Sequence, residues 1–293
     1  MRPAFVSARR ARPQLGTFVE ITAGGATPSA VHAAIDAAFD GVADVHRLMS
    51  FHDPGSDLSR LNRDAPTRPV TVHPWTLAVL RAALELHDAS GGIFDVTVAP
   101  VLQGLGRLPG QAEARVPHPH LDAGPGIEVL AARRVRFRHP GVAVDLGGIA
   151  KGFAVDRALD ILRERGMTRG LLNAGGDLAA FGRPGECISI RDPRQRGASL
   201  GCVRVEDTAL ASSGGGEAVV VDPRRGEPAG GVLGATVTAQ SCLLADALTK
   251  VVMVAGEGAG PLLARYGAAA LFLSVHGAVH VTRGWSAVVC RAS

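Results

Sequence analysis

Helix-like and strand-like segments follow each other irregularly along this chain, and their order limits the folds that it can adopt. Val31, Ile35, Phe39, Val42 and Val45 recur every three or four residues, which predicts an amphipathic helix over 28–48. Further helices are predicted over 75–87, 149–165 and 241–254, with short strands over 17–22, 142–145, 200–205 and 232–238. Because strands and helices do not alternate strictly, we expect an α+β fold with a mixed sheet and flanking helices rather than a doubly wound sheet.

The size and composition of the chain fit one large domain. It has 293 residues, of which 46% are hydrophobic, and 31 Lys and Arg residues nearly balance 27 Asp and Glu residues to leave a net charge of +4. This apolar content is enough for a sizeable buried core, and disorder is not expected. No linker-like stretch divides the chain, so a single composite domain over residues 1–293 is predicted.

Composition also argues against two classes of partner. Aromatic residues make up only 4% of the chain and its excess positive charge is scattered, so no platform for stacking nucleic-acid bases is expected. No run reaches the roughly 18–20 apolar residues that span a membrane. The N-terminal segment contains several Arg residues but no apolar stretch after them, so no signal peptide is recognised and a cytoplasmic location is expected.

The segment V-D-L-G-G-I-A-K-G, residues 144–152, joins a predicted strand to a predicted helix through two glycines. The strand ends at Asp145, and the backbone N–H groups of a glycine turn and of a helix N-terminus attract anions such as phosphate. Lys151 would add a positive charge for a pyrophosphate oxygen. The alternative is an ordinary strand-to-helix turn in which Asp145 caps the helix.

Two further glycine-rich loops follow predicted strands. They are N-A-G-G-D at 173–177 and S-G-G-G-E at 213–217. Three such strand ends in one chain would suit a large phosphate-bearing ligand. Each is also compatible with an ordinary turn.

The chain has only two lysines, Lys151 and Lys250, and both lie in motif-like segments. In A-D-A-L-T-K, residues 245–250, helical spacing places Asp246, Thr249 and Lys250 on adjoining faces. Asp and Thr oxygens are ligands appropriate to Mg²⁺. The alternative is an ion pair between Asp246 and Lys250 on the protein surface, and the loop residue His52 can equally be an ordinary surface histidine.

Taken together, these segments resemble the ApbE family, the FAD:protein FMN transferases, over nearly the whole chain. The matching segments include M-S-F-H-D-P-G-S-D-L-S-R-L-N at 49–62, G-G-I-F-D-V-T-V-A-P at 91–100, V-D-L-G-G-I-A-K-G at 144–152, L-N-A-G-G-D at 172–177, V-D-P-R-R-G-E-P at 221–228 and A-D-A-L-T-K-V-V-M-V-A-G at 245–256. Each is unspecific alone, but six in the family's order indicate membership.

The resemblance implies a Mg²⁺-assisted site that holds the pyrophosphate of FAD. Family members typically transfer FMN to a Thr or Ser hydroxyl of a partner flavoprotein and release AMP, some hydrolyse FAD instead, and members are often exported. The FAD-binding residues implied by the resemblance are Leu15, His52, Ile93, Phe94, Asp95, Asp145, Lys151 and Val220. The implied metal ligands are Gly148, Asp246 and Thr249, and the implied catalytic residues are Asp246 and Lys250.

Two positions depart from the family pattern. Val219 stands where the family usually has a His, three residues before Asp222, and valine cannot accept a proton. Lys250 stands four residues after Asp246, where the family usually has its metal-binding Thr, and Thr249 comes one residue earlier, about 100° away around the helix. Two alternatives to a transferase therefore remain open: a relative that binds FAD without transferring it, and an FAD pyrophosphatase that uses water as the acceptor. A purely structural interaction protein, which would bind no flavin, is a further alternative.

Overall fold

The structure is a computed structural model that describes residues 5–110, 124–195, 197–214 and 219–285. Its helices are α1 (Pro28–Met49), α2 (Asp57–Asp64), α3 (Pro74–Ser90), α4 (Ala99–Gly104), α5 (Ala150–Glu164), α6 (Cys242–Ala255) and α7 (Gly260–Arg265). Its strands are β1 (Val6–Gln14), β2 (Thr17–Gly25), β3 (Val70–Thr71), β4 (Ile127–Leu130), β5 (Arg134–Phe137), β6 (Arg169–Ala174), β7 (Asp177–Phe181), β8 (Glu186–Arg191), β9 (Ser199–Val205), β10 (Thr208–Gly214), β11 (Val221–Asp222), β12 (Glu227–Pro228), β13 (Val232–Ala239), β14 (Ala269–Ser274) and β15 (Val279–Val281).

An eight-stranded sheet forms the centre of the fold, in the order β1-β2-β6-β7-β10-β13-β14-β15. The predicted α+β class with flanking helices is confirmed. The expectation of a mixed sheet is wrong for the described strands, because every neighbouring pair in this sheet is antiparallel. Three of these pairs, β1–β2, β6–β7 and β14–β15, are joined by short turns, and a tight turn can only reverse the chain direction. The other four pairs join strands that lie further apart in the sequence.

Helices α1, α5 and α6 cover one face of this sheet and share the main hydrophobic core with it. The five apolar positions that predicted α1 all have no exposed surface. Thr27 caps the helix by accepting a hydrogen bond from the amide of Ala30, and Pro28 occupies the first turn, where its missing N–H has no helical partner to lose. The amphipathic pattern therefore defines which face of α1 packs on the sheet.

The opposite face of the sheet packs against the β8–β9 hairpin. A smaller hydrophobic cluster fills this layer and includes Leu178, Leu210 and Leu271 of the sheet with Ile190 and Val203 of the hairpin. The helical layer and the hairpin layer thus lie on different sides of the sheet. None of the helices in the described ranges is long and apolar enough to span a membrane.

The strand predicted over 142–145 is absent, and the segment has no regular secondary structure. The side chain of Asn62 takes the place of a neighbouring strand: its Nδ2 donates to the Val144 carbonyl at 2.9 Å and its Oδ1 accepts from the Val144 amide at 2.8 Å. The amide of Asp145 donates to the carbonyl of Val96 at 2.8 Å. A side-chain amide can satisfy the same backbone groups as a strand, and periodicity in the sequence does not distinguish the two.

Helices α5 and α6 approach each other closely at Gly152. A Cβ atom at this position would lie 2.2 Å from the carbonyl oxygen of Cys242 and 2.8 Å from the Cα of Leu243. One turn further along α5, Asp156 accepts hydrogen bonds from the amides of Cys242 and Leu243, both at 2.8 Å. These amides have no partner within their own helix, so Asp156 fixes the start of α6 against α5.

Asp156 should make the stability of the protein depend on pH between about 4 and 6. Burial raises the pKa of its carboxyl from 3.8 to about 6, against the opposite effect of the two amides. The folded protein therefore holds this proton where the unfolded chain has lost it, so stability falls as pH rises through this window, by about 3 kcal/mol. We expect Asp156→Asn to remove this contribution in chemical denaturation at pH 4, 5, 6 and 7.

The comparison that matters is the difference between the two pH profiles. Burial also raises the pKa of Asp145 and of Asp177, but both residues titrate in the wild type and in the variant and cancel in that difference. Parallel profiles for the two proteins would contradict the role given to Asp156.

Candidate active site

A cavity of about 660 Å³ opens between the end of α1, the loop after α4 and the turn that precedes α5. Its volume falls within the range of cofactor pockets. Apolar side chains such as Val45, Met49 and Leu102 form much of the wall, and Asp145, Lys151 and Arg107 supply charge. The cavity can therefore accept a ligand with both an apolar part and an anionic part.

The turn from Asp145 to Lys151 forms the charged wall of the cavity. The amide of Gly147 donates to Oδ2 of Asp145 at 3.2 Å, and α5 begins at Ala150 without a side-chain cap. Ala150 and Lys151 line the cavity, so the positive end of the α5 dipole faces the ligand space. Backbone N–H groups at such an end favour phosphate.

Behind this wall lies a lysine–aspartate cluster formed by Lys151, Asp177, Asp246 and Lys250. Lys151 pairs with Oδ2 of Asp177, and Lys250 pairs with Oδ1 of Asp246. Oδ2 of Asp246 accepts the amide of Gly152 at 3.1 Å. Lys151 at the start of α5 and Lys250 in the middle of α6 are thus both held by buried carboxylates.

The charges of Asp246 and the two lysines in this cluster stabilise one another. Burial would raise the pKa of Asp246, but the ammonium groups of Lys250 and Lys151 outweigh it and hold that pKa below its ordinary value. Burial would likewise lower the pKa of Lys151, but Asp246 and Asp177 raise it. For Asp177, burial and the nearby Asp246 raise the pKa, and its Oδ1 is buried without a hydrogen-bond partner. Asp246 and Lys151 therefore remain charged, and Asp177 is the carboxylate most easily protonated.

The hydroxyl of Thr249 faces strand β10 rather than the carboxylate of Asp246. It lies 2.6 Å from Oγ of Ser213 and donates to the backbone carbonyl of Asp246 at 2.7 Å. This bond to the preceding turn is a common choice for a buried helical threonine. The hydroxyl of Thr249 and the carboxylate of Asp246 are therefore not directed at one common position, where they could bind the same ion.

A model of the ApbE family matches residues 15–272 of this chain. The chain belongs to the ApbE family. A FAD:protein FMN transferase from Vibrio cholerae is 32% identical over 251 residues, which cover 75% of this chain and 73% of that protein. A FAD:protein FMN transferase from Treponema pallidum is 29% identical over 306 residues, covering 90% and 83%.

Solved structures of ApbE proteins share the fold. The ApbE protein from Thermotoga maritima matches with a TM-score of 0.87 at 26% identity, covering 98% of this chain and all of that one. The flavin transferase ApbE from Vibrio cholerae matches with a TM-score of 0.82 at 24% identity, covering 98% and 100%, which indicates the fold alone. The sheet and helical layers described above are thus those of ApbE proteins.

Four of the residues that the ApbE resemblance assigns to FAD line the cavity: Leu15, His52, Asp145 and Lys151. Leu15 has a positive φ of 55° in the turn between β1 and β2, and its amide donates to His46 at 3.2 Å. Val219, which stands where the resemblance implies a histidine, also lines the cavity. Their contacts with FAD stay predictions.

Four other assigned residues lie outside the cavity lining. Asp95 accepts hydrogen bonds from the amide and hydroxyl of Thr97, both at 2.7 Å, while Ile93 and Phe94 pack into the core. The carbonyl of Val220 accepts the amide of Ala229 at 2.8 Å. In this structure these side chains and backbone groups support the turns around the site.

The structure adds groups that the assignment from sequence missed. Asp177, the last residue of N-A-G-G-D, pairs with Lys151, and Ser213 pairs with Thr249. Both lie in the glycine-rich loops noted in the sequence, so the signal was present. Arg107 also lines the cavity, but a single arginine in a loop gave no signal.

Proposed function

We propose that this chain transfers FMN from FAD to a Ser or Thr hydroxyl of an acceptor flavoprotein and releases AMP. Membership of the ApbE family and the names of its relatives support flavin transfer to a protein. The observation in the structure that carries the proposal is the cavity of about 660 Å³ whose charged wall contains Asp145, Lys151 and the start of α5. The isoalloxazine ring is apolar and flat and the pyrophosphate is anionic, so FAD matches both parts of this cavity.

In the proposed reaction the acceptor oxygen attacks the phosphorus on the FMN side of the FAD pyrophosphate. A phosphoester bond forms, the anhydride P–O bond breaks, and its electron pair leaves on the phosphate of AMP. Lys151 and the N-terminus of α5 would hold the phosphate oxygens as negative charge develops. The hydroxyl proton must go to a base, and Val219 cannot accept it.

We assign Asp145 as the base that accepts this proton. It lines the same cavity, and burial raises the pKa of its carboxyl. A base whose pKa lies closer to the working pH takes a proton from a hydroxyl more effectively than an ordinary carboxylate does. The loss of the family's histidine is thereby compatible with transfer.

The resemblance also implies Mg²⁺, but the arrangement of the donor atoms does not fit a divalent ion. Both carboxylate oxygens of Asp246 are occupied, one by Lys250 and one by the amide of Gly152. The described residues contain no cluster of three or more His, Cys, Asp or Glu side chains that could hold a metal ion. No step of the proposed reaction is therefore assigned to a metal.

One observation favours a second candidate, a relative that binds FAD without transferring it. Val219 lines the cavity at the position where the resemblance implies a histidine, and general-base catalysis typically contributes about 10²–10⁴-fold. An FAD pyrophosphatase remains the alternative in which water takes the place of the acceptor hydroxyl.

One incubation separates these functions. The protein is mixed with FAD and a flavoprotein domain that carries a Ser or Thr flavinylation segment, and AMP and the intact mass of the acceptor are measured. We expect equal amounts of AMP and of acceptor that has gained one FMN, and no gain when the acceptor hydroxyl is replaced by alanine. AMP with free FMN would identify the pyrophosphatase, and intact FAD that copurifies with the protein would identify the silent binder.

A further inference from the structure

Lys250 occupies a central position in the lysine–aspartate cluster. Its ammonium contacts Oδ1 of Asp246 and also donates to the backbone carbonyl of Asp246 at 3.0 Å. Its side chain is 19% exposed, whereas that of Asp246 has no exposed surface. The ammonium is therefore held in place by the helix that carries it.

The stem of Lys250 lies over the turn that forms the cavity wall. A Cβ atom on Gly148 would be 3.4 Å from Cε of Lys250 and 3.6 Å from its Cγ, which are ordinary contact distances, so the stem of this lysine lies directly against Gly148. The carboxyl of Asp145 lines the cavity, and the charge of Lys250 opposes the burial that raises its pKa. The ammonium thus lies between buried Asp246 and the wall that faces the ligand.

The three groups that the resemblance assigns to a divalent ion, Gly148, Asp246 and Thr249, all have other contacts in this structure. Lys250 covers Gly148 and pairs with Asp246, and the hydroxyl of Thr249 is bound to Ser213. Mg²⁺ needs a nearly ideal octahedron of oxygens at about 2.0–2.1 Å. An ammonium has three donors and needs no such shell, and it already carries the positive charge that balances Asp246.

We propose that the Lys250 ammonium is a built-in cation that replaces a divalent metal at this site, so that AMP release needs no Mg²⁺. This inference rests on the proposed function. As the anhydride P–O bond breaks, the electron pair goes to the leaving phosphate oxygen of AMP, and Lys250 donates a hydrogen bond to the pyrophosphate without losing its proton. Asp246 holds the ammonium in position.

The first test uses the wild-type protein and two readouts. AMP release is measured with excess EDTA and with millimolar Mg²⁺, and Mn²⁺ binding is measured separately by electron paramagnetic resonance. We expect the two rates to agree within about twofold and no stoichiometric Mn²⁺ to bind. A rate at least tenfold lower in EDTA that Mg²⁺ restores, or one bound Mn²⁺ per chain, would overturn the inference.

Two substitutions at Lys250 separate its charge from its size. Lys250→Thr removes the cation and opens space beside Asp246, so it should bind one Mn²⁺ and release AMP only when a metal is present. Its rate in EDTA should fall by about 10²–10³-fold, as when one stabilising donor is removed from a reacting anion. Lys250→Arg keeps a positive charge and should bind no Mn²⁺.

These readouts keep the two proposals distinguishable. If wild-type protein releases no AMP under either condition, the proposed function fails, and Mn²⁺ binding still decides the role of Lys250. If Lys250→Thr does not fold, as judged by its circular dichroism, the wild-type measurements alone decide. Failure of Lys250→Thr to bind Mn²⁺ while it remains folded would contradict the inference.

Discussion

Replacing Asp246 by asparagine is expected to lower the free energy of unfolding by about 3–5 kcal/mol and AMP release by about 10²-fold or more. The carboxylate accepts hydrogen bonds from two donors, Lys250 and the amide of Gly152. An asparagine side chain has one oxygen and one NH₂ group, so one donor would face another donor in a fully buried place. Lys250 would also lose the charge that positions it. Urea denaturation and the AMP assay measure the two effects.

A matched control comes from the pair Asp64 and Arg68, which has the same spacing of four residues. Arg68 is 72% exposed there, and the two side chains lie 3.2 Å apart. Exposed pairs contribute at most about 1 kcal/mol, so Asp64→Asn should change stability by less than that and leave AMP release unchanged. Equal losses in the two variants would show that burial of the Asp246 pair has no special effect. FAD binding to Asp246→Asn should be less affected than turnover, because Lys151 and the apolar wall remain.

Much of the fold could be predicted from local patterns. The buried positions of α1 followed directly from a period of three to four residues, and α3 ends at the pair Gly91-Gly92, where Gly91 has a left-handed φ of 61°. The strand over 142–145 was wrong because the partner of this segment is the side chain of Asn62, which is 82 residues away in sequence from Val144. The antiparallel sheet depends on such distant pairings, and no local pattern encodes them.

The site shows the same division between local and distant information. The two lysines, Lys151 and Lys250, stood out because they are the only ones in the chain and lie in motifs, and Asp246 lies in the same motif as Lys250. The structure brings all three side chains together. The role of Asp177 was missed because its partner Lys151 lies on another element, 26 residues earlier. Thr249 was assigned to a metal from its residue type, its helical spacing and the family resemblance, whereas the contact that turns it toward Ser213 depends on how α6 packs on β10.

Replacing Gly152 by alanine is expected to lower the free energy of unfolding by about 3 kcal/mol, although alanine normally favours a helix. The new Cβ would lie 2.2 Å from the carbonyl oxygen of Cys242 and 2.5 Å from its carbonyl carbon. These are backbone atoms, so no side chain can move aside and α5 must shift away from α6. The shift would break the hydrogen bond between the Gly152 amide and Asp246, so AMP release should fall together with stability.

Gly260→Ala provides the control, because Gly260, like Gly152, lies in the first turn of a helix, here α7, and no atom lies within 4 Å of the Cβ that alanine would add. This change should leave stability the same or raise it by about 0.4–1 kcal/mol, since alanine restricts the unfolded chain. Wild-type stability for Gly152→Ala would contradict the close approach of α5 and α6. Reduced stability with normal AMP release would show that the helices can separate without disturbing Asp246 and Lys250. Loss of both would tie the position of the lysine–aspartate cluster to a single glycine at the contact between the two helices that carry three of its four members.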